Sequence, residues 1–357
     1  VHTSILVSLL GGVLVAALGE LAAAPLLRLL QVPDDVFPLA LLYLRIYLLG
    51  MPVILLYNFE AAIFRSVGET KIPLLALAVS GVVNVALNLF FVAVLGMTVN
   101  GVAIATVISN ALSSAILYFR LRTTAREVHV EPHLLRIDLG ILKRILRIGL
   151  PAGIQSGVFS LANIIIQSAI NSLGTVVMAA SSAAFNIEIF TYDIVNAFGQ
   201  ACTTFVGQNF GAGELKRCKK TLLLCLAEGA VILLAAIALI ISFGKPLLSI
   251  FNSDPEVIDI GYIRVMLVVS AHFFSMLYEV MSGYLRGFGI SLGPAILTMI
   301  GVCMVRLLWI QFVFPLSRTF RTIMLVYPVS LSLTALMIFV ALLCTHPSRR
   351  FAKKADA

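Results

Sequence analysis

The sequence predicts an all-α polytopic membrane protein, built as two pseudo-symmetric helical lobes related by a two-fold axis along the membrane normal. Composition is the first observation behind this. Sixty per cent of the residues are hydrophobic and only 12% are charged, with a mean hydropathy of +1.05, whereas a soluble domain carries roughly twice that charge. Second, apolar runs of about 20 residues recur, each long enough to cross a hydrocarbon core of about 30 Å. A chain in lipid must satisfy its own backbone hydrogen bonds, so these runs are helices. Third, the chain writes parts of itself twice, 221 residues apart.

Ten spans follow in order, near residues 4–30, 37–64, 73–95, 100–119, 140–171, 176–206, 221–243, 258–285, 291–315 and 322–345. Gly and Pro break the short loops, as in "QVPDD" and "FNSDP". One longer connection, "RLRTTAREVHVEPHLLRID", organises the rest. It leaves an N-lobe at 1–122, a cytoplasmic connector at 123–138, a C-lobe at 139–345 and a cytoplasmic tail at 346–357. Numbering the sides alternately places 18 Lys and Arg residues on one side, Arg65, Lys71 and Arg286 among them, and four on the other. That asymmetry puts both termini in the cytoplasm and the chain, multi-pass, in the cell membrane. The net charge of +8 therefore reflects topology. No basic run is long or interleaved with stacking aromatics, which argues against nucleic acid as a partner. Small-molecule substrate and membrane lipids are the expected partners, and a monomer the expected state. The five cysteines show no C-x-x-C pairing and read as buried packing residues.

The repeat centres on a charged turn. "IFRSVGETKIP" and "YLRGFGISLGP" both read R-x-x-G-x-x-x-x-P, with Arg65, Gly68 and Pro73 in one and Arg286, Gly289 and Pro294 in the other. "APLLRLL" (24–30) matches "KPLLSIF" (245–251) at the same offset, "YLRI" (43–46) matches "YIRV" (262–265) with a slip of two, and Tyr57 meets Tyr278. Spans one to four thus copy spans seven to ten in the same order, as parallel repeats do. Spans five and six have no upstream counterpart. The simplest account is two lobes of six helices with the first two absent, ten spans of twelve, in a native chain of about 440 residues. Lobes of four and six are the alternative. Each turn arginine ends a span where it can reach headgroups and helix-terminal carbonyls, glycine permits the reversal, and proline suits the first turn of the next helix.

The paired turns resemble those of the MATE (multidrug and toxic compound extrusion) transporters. So do "NVALN" (84–88), "IGLPAGIQSGVFSLANIIIQSAINSLG" (148–174) and "FVGQNFGAG" (205–213). The resemblance runs from the family's third helix onward. It implies a two-lobe exporter with alternating access, using inward Na⁺ or H⁺ flow to expel amphipathic, often cationic compounds, with no cofactor beyond the coupling ion. This chain departs from the pattern where many members have N-x-x-x-D: it has Asn84 and Asn88, without the acid. The acid that one branch carries early in its seventh helix is replaced by Phe159, and the family's first-helix Asp, used for coupling in the N-lobe, would lie in the absent first two helices.

Polar side chains within spans mark where transport chemistry sits, because in lipid they face a cavity or another helix. Span five carries Ser156, Ser160, Asn163, Gln167 and Asn171; span six carries Ser182, Asn186, Asp193, Asn196, Gln200 and Thr204; span three carries Ser80, Asn84 and Asn88. Steps of three and four put each set on one face. Asn163, Gln167, Asn186, Asp193, Asn196 and Gln200 are expected to line one polar space, with Glu188, Tyr192 and Tyr278 as further cavity candidates. Coupling-ion candidates are Asp193, Glu279, Glu60, Asn84 and Asn88, with Asp193 and Glu279 favoured. Glu60 and Glu279 equally fit simple pairing with the turn arginines.

Other chemistries fit poorly. His129 and His133 are separated by Pro132 in a loop, the lone His272 fits a hydrogen-bonded role, and no H-E-x-x-H, G-x-S-x-G or Walker motif is present. A secondary transporter is therefore expected rather than an enzyme. A flippase of lipid-linked saccharides is the alternative; it would need an arginine-rich cavity, and only Arg45, Arg264 and Arg306 lie within spans.

Overall fold

The computed structural model describes residues 1–29, 32–124, 128–345 and 347. The expected tail at 346–357 lies outside these apart from Pro347, as do residues 125–127 of the connector. The chain forms two compact units, Val1–Arg144 and Ile145–Ala357.

The first unit contains α1 (His2–Leu29), α2 (Phe37–Leu49), α3 (Met51–Ser66), α4 (Lys71–Leu89) continued by a π turn (Phe90–Val94), and α5 (Val99–Thr123). Spans two and three of the sequence reading keep their places, but span two is bent by 48° where α2 meets α3. Pro52 lacks the N–H that would continue the helix through Gly50. There α1 crosses so closely that a Cβ on Gly12 would lie 2.3 Å from Pro52 Cα. The connector is no free loop. Val128 and Val130 are buried against Ile5, Phe64, Leu117 and Leu121. Thr3 Oγ1 donates to the Arg136 carbonyl at 3.1 Å, and the Val130 N–H donates to the Leu121 carbonyl at 3.1 Å.

The second unit continues α6 (Leu139–Asn171), which begins in the first, and adds α7 (Thr175–Gly211), α8 (Leu215–Ser242), α9 (Gly244–Ser249), α10 (Pro255–Arg264) and α11 (Ser270–Gly287). A π turn, Val265–Val269, joins α10 to α11. Span nine is α12 (Leu292–Thr298), a π segment, α13 (Val305–Leu308) and a second π turn (Trp309–Val313). The short α14 (Phe320–Met324) and then α15 (Val326–Thr345) form span ten. Asp254 starts α10, accepting from the Glu256 N–H at 2.9 Å with Pro255 following.

Eight of these helices are long and apolar enough to cross a membrane, nine when α2 and α3 count as one span. The tenth expected span is α7, 37 residues long but more polar, because its apolar positions alternate with Ser182, Asn186, Asp193, Asn196 and Gln200. Large apolar side chains such as Leu21, Val82 and Leu89 are exposed, the arrangement of a multi-pass protein with lipid as solvent.

The sequence repeat appears as repeated structure. In the first unit α1 packs on α3, α3 on α5, and α4 on α5; in the second α8 packs on α11, α11 on α15, and α12 on α15. Both charged turns close identically. Gly68 (φ +79°) and Gly289 (φ +78°) take left-handed backbone. Around them the Gly68 N–H donates to the Arg65 carbonyl and the Glu69 N–H to Phe64, while Gly289 donates to Arg286 and Ile290 to Leu285, all at 2.8–3.0 Å. This double bond is the Schellman closure, which needs a residue free of the Cβ penalty. Gly68→Ala and Gly289→Ala should each cost about 1–2 kcal/mol and lower the apparent melting temperature in detergent by similar amounts. Gly81→Ala, in an open helical position, should not; equal effects at all three sites would count against the turn argument.

Candidate transport cavity and buried carboxylate

A cavity of about 900 Å³ lies within the second unit, bounded by α6 and α7 with side chains from α10, α11, α13 and α15. Its volume suits a drug-sized ligand. One wall is polar, with Ser156, Ser160, Asn163 and Gln167 along α6; Phe159, Phe185 and Ile189 supply apolar surface. The α7–α11 contact that carries Tyr278 and Glu279 to the cavity is made possible by missing side chains. A Cβ on Gly283 would lie 2.5 Å from the Gly199 carbonyl oxygen, and one on Gly199 2.7 Å from Glu279 Cγ.

Charge in this cavity is paired with one exception. Buried Arg264 clamps Glu188 with two hydrogen bonds, Nε to Oε2 at 2.9 Å and Nη2 to Oε1 at 2.5 Å, and its Nη1 donates to Ser181 Oγ at 2.6 Å. Arg286 forms an ion pair with Glu279. His272 Nδ1 lies 2.6 Å from Thr191 Oγ1, the hydrogen-bonded role expected of it. Arg306 touches no carboxylate among the described residues. It reaches Asn163 Oδ1 at 3.3 Å and Ser330 Oγ at 3.4 Å, and its guanidinium stands 4.4 Å from the Tyr327 ring centroid.

Of the residues expected at the cavity, Asn163, Gln167, Glu188, Tyr192, Asn196 and Tyr278 line it, joined by Glu279, expected only as a coupling-ion candidate or an arginine partner. Asn186, Asp193 and Gln200 do not. They are exposed and recur every seven residues, a separate stripe of α7; the stripe that meets the cavity is Ser182, Phe185, Ile189, Tyr192 and Asn196. Steps of three and four sweep more than about 100° of a helix, and only part of that arc faces the cavity. Asn186 instead donates to the Ser182 carbonyl at 3.0 Å. The one polar space expected to join all six residues is thus two faces. The sequence reading missed Tyr327 and Ser181 altogether, and weighed Arg306 only as a count. A charge inside an apolar run is the signal that could have found Arg306.

The first unit holds a different site. Glu60 on α3 is fully buried, at 0% exposure. Ser114 Oγ donates to its Oε2 at 2.8 Å, while Oε1 has no partner among the described residues. Pairing with Arg65, one of the two expectations for Glu60, is not what forms; pairing with the turn arginine is what Glu279 does. Around it α4 and α5 present a polar seam: Asn84 donates to Ser109 at 3.2 Å, Asn88 to Asn84 at 3.0 Å, and Ser113 to Ser80. The Asn88 Oδ1 is another acceptor without a donor among the described residues.

A polytopic bundle with a ligand-sized cavity inside one lobe is the architecture of a membrane transporter. The sequence profile of the MatE family matches residues 1–90 and 151–310, well over half of the chain. The chain belongs to this family, which is one of transporters and not of enzymes. Among curated relatives it is 28% identical over 311 residues to a probable multidrug resistance protein, YoeA, of Bacillus subtilis, covering 85% of this chain and 67% of that one. It is 26% identical over 314 residues to a probable multidrug resistance protein, NorM, of Thermotoga maritima, covering 85% and 66%. An FAD transporter of Shewanella oneidensis is 26% identical over 266 residues, covering 72% and 58%. The chain thus spans about two thirds or less of these relatives' length. A crystal structure of MATE in the bent conformation superposes with a TM-score of 0.87 at 21% identity, covering 99% of this chain and 78% of that one, which shows the fold.

Breaking the buried pair tests the cavity's electrostatics. Glu188→Gln leaves Arg264 buried with no countercharge and should destabilise the fold by about 3–5 kcal/mol. Adding Arg264→Met should restore much of the loss. Thermal unfolding in detergent checks this; a double variant no more stable than the single would refute it.

Proposed function

We propose that the protein exports amphipathic organic compounds across the cell membrane by alternating access, driven by inward flow of Na⁺ or H⁺, with both termini in the cytoplasm. The observation that carries this reading is the cavity of about 900 Å³ in the second unit, apolar and aromatic on some faces and polar on others. The names of the relatives support transport of organic compounds. They include both multidrug resistance proteins and an FAD transporter, so family membership leaves the charge of the cargo open.

Coupling is best assigned to Glu60. A bare carboxylate with no cation beside it and a single hydroxyl donor would cost several kcal/mol to bury. The group therefore needs a companion, a proton or Na⁺, whenever it is enclosed as seen here. The Glu60 Oε1, an acceptor without a partner among the described residues, is where such a proton or cation gains a ligand. Asp193 is exposed and does not line the cavity, and Glu279 already has Arg286, which weakens both as alternatives.

Proteoliposomes carrying the complete protein, loaded with a fluorescent substrate and given separate Na⁺ and H⁺ gradients, test the proposal. Efflux should respond to one gradient. Glu60→Gln should abolish that response while leaving substrate binding measurable, and Asp193→Asn should leave efflux as in wild type. Wild-type efflux from Glu60→Gln at equal abundance would move coupling to another acid, and indifference to both gradients would sink the antiport reading.

A further inference from the structure

Resting on the reading of the second-unit cavity as the substrate site, the geometry points to an amphipathic organic acid as its ligand, with the acidic group held by Arg306. The cavity lining carries three arginines and two glutamates. Glu188 neutralises Arg264 and Glu279 neutralises Arg286. The positive charge left over belongs to Arg306. Buried to 6% exposure, it has been taken out of water without a countercharge, and such a guanidinium gains most from an anion that enters beside it.

Its hydrogen bonding leaves room for that anion. A guanidinium has five N–H donors. The two contacts to protein, with Asn163 and Ser330, are 3.3 and 3.4 Å long, beyond the usual range for N–H···O bonds. Nη2 has no protein partner among the described residues. The guanidinium rests over the Tyr327 ring at 4.4 Å, and a planar carboxylate is the group that matches its fork of donors best. The apolar part of the ligand has Phe159, Phe185 and Ile189 to lie against. A pyrophosphate, as a lipid-linked saccharide would bring, needs more than one free cation. A cationic compound would meet no unpaired carboxylate in this lining.

The test uses three fluorescent probes on one scaffold: dansylglycine (carboxylate), dansylglycinamide (neutral) and dansylcadaverine (cation). Equilibrium binding to the purified protein in uncharged detergent, with no ion gradient, should rank the carboxylate at least about tenfold tighter than the other two, since a hydrogen bond to a charged group is worth about 1.5–3 kcal/mol. Arg306→Gln should erase that preference, and Arg306→Lys should restore part of it. If Arg306→Gln does not yield monodisperse protein, the wild-type ranking together with Arg306→Lys decides. Equal or tighter binding of dansylcadaverine, no binding of any probe, or an unchanged ranking in Arg306→Gln would overturn the assignment. Phosphatidylglycerol that displaced dansylglycine more effectively than benzoate does would assign the acidic group to a lipid and overturn the soluble acid. Failed efflux with dansylglycine binding intact would count against export alone. Efflux with a cation preference would count against this assignment alone.

Discussion

A charge buried in a lipid-embedded bundle must be matched where it stands, because neither solvent nor a flexible surface is there to match it. The Arg264–Glu188 clamp is where this chain meets that constraint most fully. It ties α10 to α7 through two hydrogen bonds, with Ser181 taking a third donor. Phe185 and Tyr327 lie within 6.0 Å of the guanidinium. Broken singly, a pair of this kind leaves an uncompensated charge; intact, it is closer to neutral in stability and fixes which faces meet. Its gain is register. It sets the rotation of α7, and thereby decides that Tyr192 and Asn196 face the cavity while Asp193 does not.

The α7–α11 contact shows how packing and chemistry share the same residues. Gly199 and Gly283 let the two backbones approach closely, the mode of helix association that works in lipid, where apolar burial alone gives helices no reason to prefer one another over lipid tails. Close approach then presses Glu279, already paired with Arg286 on its own helix, against α7. A bulkier residue at either glycine would move a charged group as well as a helix.

Much of this architecture was legible in the sequence, and the legible part has a common cause. Hydropathy and the repeat report properties that each residue carries alone or at a fixed offset: the spans, the paired turns and the polar positions of α6 were readable on that basis. What could not be read depends on rotation about a helix axis and on partners far away in sequence. The exposed stripe of Asn186, Asp193 and Gln200 and the lining stripe of Tyr192 and Asn196 differ by a fraction of a turn. Arg306 meets Asn163 from 143 residues away, and no local pattern announces that meeting. The connector looked like a loop because its buried valines are too few to register as an apolar run.

The two turn arginines show how small an edit separates structure from chemistry. Each follows an acid on the same helix: Glu60 precedes Arg65 by five residues, Glu279 precedes Arg286 by seven. At 3.6 residues per turn, seven residues bring side chains back to within about 20° of one another, whereas five leave them about 140° apart. The spacing of seven lets Glu279 and Arg286 pair within α11. With five, Arg65 is carried round the helix from Glu60, whose carboxylate turns into the seam between α3 and α5 and finds Ser114. The repeated turn therefore keeps one job in both copies, reversing the chain through Gly68 and Gly289. The acid that precedes it has two fates, paired with the turn arginine in one copy and hydrogen-bonded to Ser114 on the neighbouring helix in the other.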